Sequence, residues 1–230
     1  MELQRFFAEL DARIAQHDLL CHPFYEAWSA GELTRAELRE YAGQYYNHVA
    51  AFPVALGTLH ARLPEGELRR AVGENYQDEA GIGAPDGRPH DELWLDFVAG
   101  MDAQGTRAPR QPLPEVCDLM RLFRDLAHDG SPAEAVAAFY AYESQVPRVA
   151  KEKARGLRQS YGADDATCRY FDLHETADVH HPAVWREQLG KLIAQGGDAE
   201  SALRAAGSAA KALWRALDGI ERERLAHRAA

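Results

Sequence analysis

The chain has 230 residues, a formal net charge of −10 and a charged fraction of 27%. This acidity argues against nucleic-acid binding, which shows as a basic footprint, and no apolar run is long enough to span a bilayer. Three cysteines (Cys21, Cys117 and Cys168), odd in number and widely spaced, point to reduced thiols in a cytoplasm rather than a disulfide framework. The N-terminus is acidic and amphipathic, without the basic start and apolar core of a signal peptide.

Helical periodicity runs through the chain. Leu3, Phe6, Phe7, Leu10 and Ile14 form an apolar stripe. In "HPFYEAWSAG", Pro23 suits the start of a short helix and Gly31 its end. "TRAE" (34–37) reads as a capping box opening a helix with Leu38, Tyr41, Tyr45, His48 and Phe52 on one side and a kink at Pro53. A helix is expected from about Glu67 to Asp78. A Gly/Pro loop (80–89) follows, then a helix from His90 with Leu93, Trp94, Phe97, Val98 and Met101 inward.

Residues 103–114 read as a second long loop. "SPAE" (131–134) is another capping box, and its helix is expected to continue to about residue 157 with a kink at Pro147. Asp164 or Asp165 caps the next helix, Pro182 marks a break, and two further helices lie near 183–195 and beyond 198. No convincing strand pattern, repeat or linker divides the chain. The expectation is one all-α domain over residues 1–230, a bundle of about seven to ten helices.

Polar residues on core-facing stripes are informative, because burying an unpaired charge costs several kcal/mol. In "HETADVHH" (174–181), His174, Asp178 and His181 fall at i, i+4 and i+7 and would share one face of a helix. Alone, that pattern suits a polar helix surface equally well. Glu79 before the glycine-rich loop, His90 after it and Glu143, read as mid-helix, complete a set of three histidines and three carboxylates. Such a set suits two non-haem iron or manganese ions, and the carboxylates offset most of their charge. The usual Glu-x-x-His pairs of bundle di-metal sites are absent, and Asp178-x-x-His181 is a variant. His180 points about 100° away from His181 and is left out. His48 reads as a hydrogen-bonded core histidine.

"HPFYEAW", "YYNHVAAFP", "YESQVPRVAKEKARGL" and "HETADVHH" together resemble the family of the Chlamydia protein associating with death domains (CADD), from about residue 5 to the final helix. The stretch 140–157 is the most specific part of the match. The resemblance implies the haem-oxygenase-like (TenA/PqqC-like) bundle, with metal ligands at Glu79, His90, Glu143, His174, Asp178 and His181. It implies two non-haem metal ions (Fe/Fe or Fe/Mn), dioxygen and an external reductant. The implied activity is oxygen-dependent, self-sacrificing formation of para-aminobenzoate, the folate precursor. The ring then comes from Tyr25 and the nitrogen from Lys153, with Tyr41, Tyr142 and Tyr170 lining the site or relaying electrons. An electron-donor protein and a homodimer are the partners it implies. The loop between Glu79 and His90 is longer than the resemblance to CADD itself implies, which bears on the alignment of His90 and on the site entrance.

The residues alone leave alternatives open. Tyr25 by itself is an ordinary core aromatic beside Phe24 and Trp28. "RVAKEKARG" (148–156) reads mostly as a solvated basic face. On an ideal helix Lys151 and Lys153 flank the direction of Glu143 by about 80° each, so spacing does not choose between them. An oxygenase acting on an external amino acid, amine or fatty acid, and a protein-interaction module, are the rival readings. A thiaminase-like enzyme would leave six metal-type ligands unexplained.

Overall fold

The computed structural model describes residues 2–84, 86–102, 110–176 and 180–229. Among them are eleven α-helices: α1 (Leu3–Ala15), α2 (Pro23–Ser29), α3 (Arg35–Arg62), α4 (Glu67–Glu79), α5 (His90–Met101), α6 (Pro114–His128), α7 (Pro132–Glu143), α8 (Val146–Ser160), α9 (Asp165–Thr176), α10 (His180–Ala194) and α11 (Ala199–Ala229). A 3-10 turn, Leu19–Cys21, joins α1 to α2. The described residues contain no strand, and none of their helices is long and apolar enough to cross a membrane.

Local chemistry fixes the helix starts. Thr34 and Ser131 form reciprocal capping boxes with Glu37 and Glu134, and Asp164 Oδ1 accepts the Thr167 N–H ahead of α9. Every element contributes to one contiguous hydrophobic cluster. α11 packs on α7 and α6, α3 on α4, α5 and α6, and α9 on α5 and α8. α7 and α11, which pack against each other, both bury many alanines (Ala135, Ala138, Ala202, Ala206 and Ala209 among them), and small side chains let packed helices approach closely.

Several expectations need correction. α6 fills the stretch between the second loop and the 131–134 capping box, for which no helix was predicted, with Val116, Leu119, Phe123 and Ala127 as its buried stripe. It adds to the helix count, as does the break in the segment from 131 to 160. That segment is two helices rather than one kinked helix: α7 stops at Glu143, and α8 starts at Val146 with Pro147 in its first turn. Proline has no N–H for the carbonyl one turn back, so restarting the helix satisfies the backbone better than bending it. Glu143 therefore ends a helix instead of sitting within one. Pro182 does not mark a break, because α10 begins at His180 and proline is tolerated in a first turn. His174 and His181 thus belong to α9 and α10, and Asp178 lies outside the described residues.

One close approach sets the position of α8. A Cβ on Gly156 would lie 2.7 Å from Trp28 Cδ1 and 2.8 Å from its Nε1. The same indole N–H donates to the Lys153 carbonyl at 3.3 Å. α2 and α8 therefore touch at a glycine one turn beyond Lys153. Gly156→Ala gains about 1 kcal/mol of helix propensity, but overpacking costs about 1–3 kcal/mol. A net loss of up to about 2 kcal/mol in chemical denaturation is expected; a gain near the propensity value would contradict the packing argument.

Candidate metal centre and tyrosine–lysine chamber

Glu79, His90 and His174 converge. One ligand atom of each lies within 4.8 Å of the other two, and all three residues are buried. Glu79 closes α4, His90 opens α5, and the long loop between them folds back through Gly81. Gly81 has φ 68°, and a Cβ there would meet the Arg88 carbonyl at 2.5 Å. Only glycine tolerates both the left-handed backbone and the contact. The loop therefore returns His90 to Glu79, with Nδ1 3.1 Å from Oε2. His174 Nδ1 donates to the Tyr170 carbonyl at 2.6 Å, which fixes the tautomer and leaves the lone pair on Nε2.

A second group adjoins the same helix. Glu143 is 2% exposed; Asn75 Nδ2 donates to both of its oxygens at 3.1 Å, and Trp185 Nε1 donates to Oε2 at 2.6 Å. His181 Nδ1 lies 3.8 Å from that oxygen, and its Nε2 is 3.0 Å from Asp78. α4 serves both groups, with Glu79 in one and Asn75 and Asp78 in the other. The sequence reading passed over Asn75, although it sits one turn before Glu79 on the same face. Buried carboxylates beside imidazoles, drawn from α4, α5, α7, α9 and α10, suit non-haem first-row metal ions. Glu175 pairs with Lys151 at 3.4 Å and His180 is exposed, so both point away.

Tyr25, Tyr41, Tyr142, Tyr170 and Lys153 are all buried in one region. Lys153 is 5% exposed, whereas Lys151 has 72% of its side chain exposed. The break between α7 and α8 removes the single-helix geometry that left the two lysines equivalent. Arg148, Lys151 and Arg155 do form a solvated face, from which Lys153 departs. Its Nζ donates to Tyr41 Oη at 2.5 Å, and the Tyr41 and Tyr25 hydroxyls are 2.8 Å apart.

Six rings surround that nitrogen: Tyr25 at 4.4 Å to the centroid, Tyr41 at 4.9 Å, Tyr45 at 5.4 Å, and Trp28, Trp94 and Phe171 at 5.6 Å. Burial holds the Lys153 amine well below the usual lysine range. Burial likewise raises Tyr25, Tyr41 and Tyr45, so they are phenols at neutral pH.

A row of rings connects the two regions. Tyr170 stacks on His174 at 3.9 Å, Trp94 meets Tyr170 at 4.8 Å, and Trp94 lies 5.4 Å from Tyr45 and 6.0 Å from Tyr41. Trp94 had been legible only as an inward core residue. Tyr142 shares a hydrogen bond with Tyr45 and lies 4.8 Å from the His48 ring. His48 is a core histidine as expected, but its Nε2 has no hydrogen-bond partner among the described residues, and burial pushes its pKa down to about 3.

This helical bundle is the haem-oxygenase-like fold. It superposes on a TenA homologue from Pseudomonas syringae with a TM-score of 0.78 at 16% identity, covering 95% of this chain and 92% of that one. Residues 39–214 match the family described as iron-containing redox enzymes, and the chain belongs to that family. Proteins named 4-aminobenzoate synthase are similar over nearly the whole chain. One from Chlamydia muridarum is 37% identical over 94% of this chain and 89% of its own length; one from Nitrosomonas europaea is 34% identical over 96% and 92%.

The lysine gives a pH test with a defined sign. Its folded pKa is depressed, so between that value and the ordinary 10.5 the unfolded chain binds a proton that the native amine does not. Stability then rises with pH in this window, by up to about 1.4 kcal/mol per unit. In metal-free protein, Lys153→Met should melt above the parent at pH 7, with a gain that shrinks towards pH 10.5. A gain independent of pH would contradict burial of a neutral amine.

Proposed function

We propose that the protein forms 4-aminobenzoate in an oxygen-dependent reaction, taking the ring from its own Tyr25 and the nitrogen from its own Lys153. The observation that carries this reading is the pairing of those two side chains. Far apart in sequence, they meet in a buried chamber with the amine 4.4 Å from the phenol ring centroid and Tyr41 bridging their polar ends. Relatives named 4-aminobenzoate synthase support the product, and the iron-containing redox family supports a metal.

The ligands in this reading are Glu79, His90 and His174, with Glu143 and His181 in the adjoining group and Asp178 between His174 and His181 in sequence. Two bound non-haem ions, iron with iron or with manganese, would supply oxidising power from dioxygen, with an external reductant. The protein's own residues do the rest. The neutral Lys153 amine keeps the lone pair that a nitrogen donor needs. With Lys153 N–H donating to Tyr41, the Tyr41 hydroxyl proton points at Tyr25; with both hydroxyls turned, Tyr25 donates to Tyr41 and Tyr41 to the lone pair of the neutral amine, and in that order the chain can carry the Tyr25 proton away as that ring is oxidised. Tyr170 and Trp94 form the row along which an electron would pass from the Tyr41 and Tyr25 rings towards His174.

An external substrate fits less well. The chamber leaves a cavity of about 30 Å³ beside the Tyr25 ring, room for about two waters and too little for an aromatic substrate. The product is a folate precursor, which places the reaction in supply of that cofactor.

Protein loaded with iron and manganese, given reductant and oxygen but no added substrate, should yield up to one 4-aminobenzoate per chain. Tyr25→Phe and Lys153→Met should abolish it, and His90→Ala should lower bound metal as well as product. Product formed only when a small aromatic or amine is added would favour the external-substrate oxygenase.

A further inference from the structure

The chamber around Tyr25 and Lys153 has one thin wall. Of the residues lining it, only Val146 is partly exposed, and the others are buried. Val146 opens α8, directly after the two-residue break that ends α7. Leu19, from the 3-10 turn ahead of α2, lines the same cavity.

Gln145 holds that turn in place from within the break. It is 2% exposed, its Oε1 accepts the Leu19 N–H at 2.9 Å, and its Nε2 donates to the Ala141 carbonyl at 3.2 Å. Outside it, Arg148 donates to both oxygens of Asp18, at 2.9 and 3.2 Å, and Asp18 accepts the Leu20 N–H at 3.1 Å. That ion pair is largely exposed and contributes little. The buried amide is different. Without it the Leu19 N–H would be buried and unsatisfied, and the turn would regain a partner only by opening to water. The turn runs straight into α2, where His22 Nδ1 accepts the Phe24 N–H at 3.1 Å immediately before Tyr25.

We infer that Gln145 is a positioning residue for this chamber: it pins the Leu19–Cys21 turn over the Leu19–Val146 wall, so that Leu19 stoppers the space shared by Tyr25 and Lys153. It follows two residues after Glu143, so one short break ties a candidate metal ligand to the entry of the helix that carries Tyr25. An aromatic amine released in the chamber exceeds the space beside it, and this wall, closed by one amide and a surface ion pair, is where it would leave. The inference rests on the proposed reading only in taking Tyr25 and Lys153 as the reacting pair.

The test needs neither metal nor turnover, so it can fail or succeed independently of that reading. Metal-free protein is acetylated with acetic anhydride, and Lys153 modification is followed by peptide mass mapping with exposed Lys151 as internal standard. Gln145→Ala should raise the Lys153 rate about fivefold or more, the factor set by losing one hydrogen bond's net worth, and Leu19→Ala, which keeps that bond but removes the side chain filling the wall, should raise it above the control as well, with Lys151 unchanged in both. Val72→Ala, a truncation in the α4 core, serves as the control for lost stability alone. Gln145→Ala labelled at the control rate would overturn the inference; should that variant not fold, Leu19→Ala labelled at the control rate would do so.

Discussion

The burial of a lysine nitrogen among six aromatic rings is the constraint on which the rest of the site depends. An ammonium taken from water into such surroundings loses several kcal/mol of solvation even after relaxation. Contact with ring faces returns about 0.5–2 kcal/mol, and no carboxylate pairs with Lys153 among the described residues. The neutral form therefore wins, and a neutral amine is a nitrogen with a usable lone pair. The arrangement requires a ring or hydroxyl from α2, α3, α5 and α9 at one point on α8. Gly156 allows the approach of α2, and the break at Ser144–Gln145 frees α8 to turn Lys153 inward, away from the solvated face made by its basic neighbours.

The second constraint is the burial of carboxylate. Glu79 and Glu143 are each less than a tenth exposed, and α4 manages both. Glu79 meets His90 and His174, while Asn75 from the same helix satisfies Glu143 together with the Trp185 indole. Neutral donors and imidazoles soften the cost of those charges, and divalent ions would offset it more fully. The two constraints are joined by contact: Tyr170 stacks on a histidine of the metal group and meets Trp94, which faces the lysine chamber. The candidate metal group and the Tyr25 phenol are thereby kept apart yet connected through packed rings.

Much of the fold was legible because helix starts obey local chemistry. Thr34, Ser131, Pro23 and Pro132 carry their instructions within four residues, and the bundle class follows from period alone. Pro147 and Pro182 were misread, since a proline's effect depends on whether the backbone restarts around it, which tertiary packing decides. The candidate ligands were legible as residue types out of place on apolar stripes, although Glu143 was assigned to the middle of a helix that in fact ends there. Periodicity could not separate Lys153 from Lys151, because the angular argument assumed one continuous helix. Asn75, Trp185, Gln145 and the central role of Trp94 were not legible either; each acts through a partner distant in sequence, and only the packed structure supplies it.

The central claim is that Tyr25 and Lys153 are reactants held ready in one chamber. Intact mass and peptide mapping, before and after supplying metal, reductant and oxygen to the purified protein, test it most directly. The account predicts loss of the Tyr25 side chain and conversion of Lys153 in amounts that match the 4-aminobenzoate released. Product released while both residues keep their original masses would contradict it.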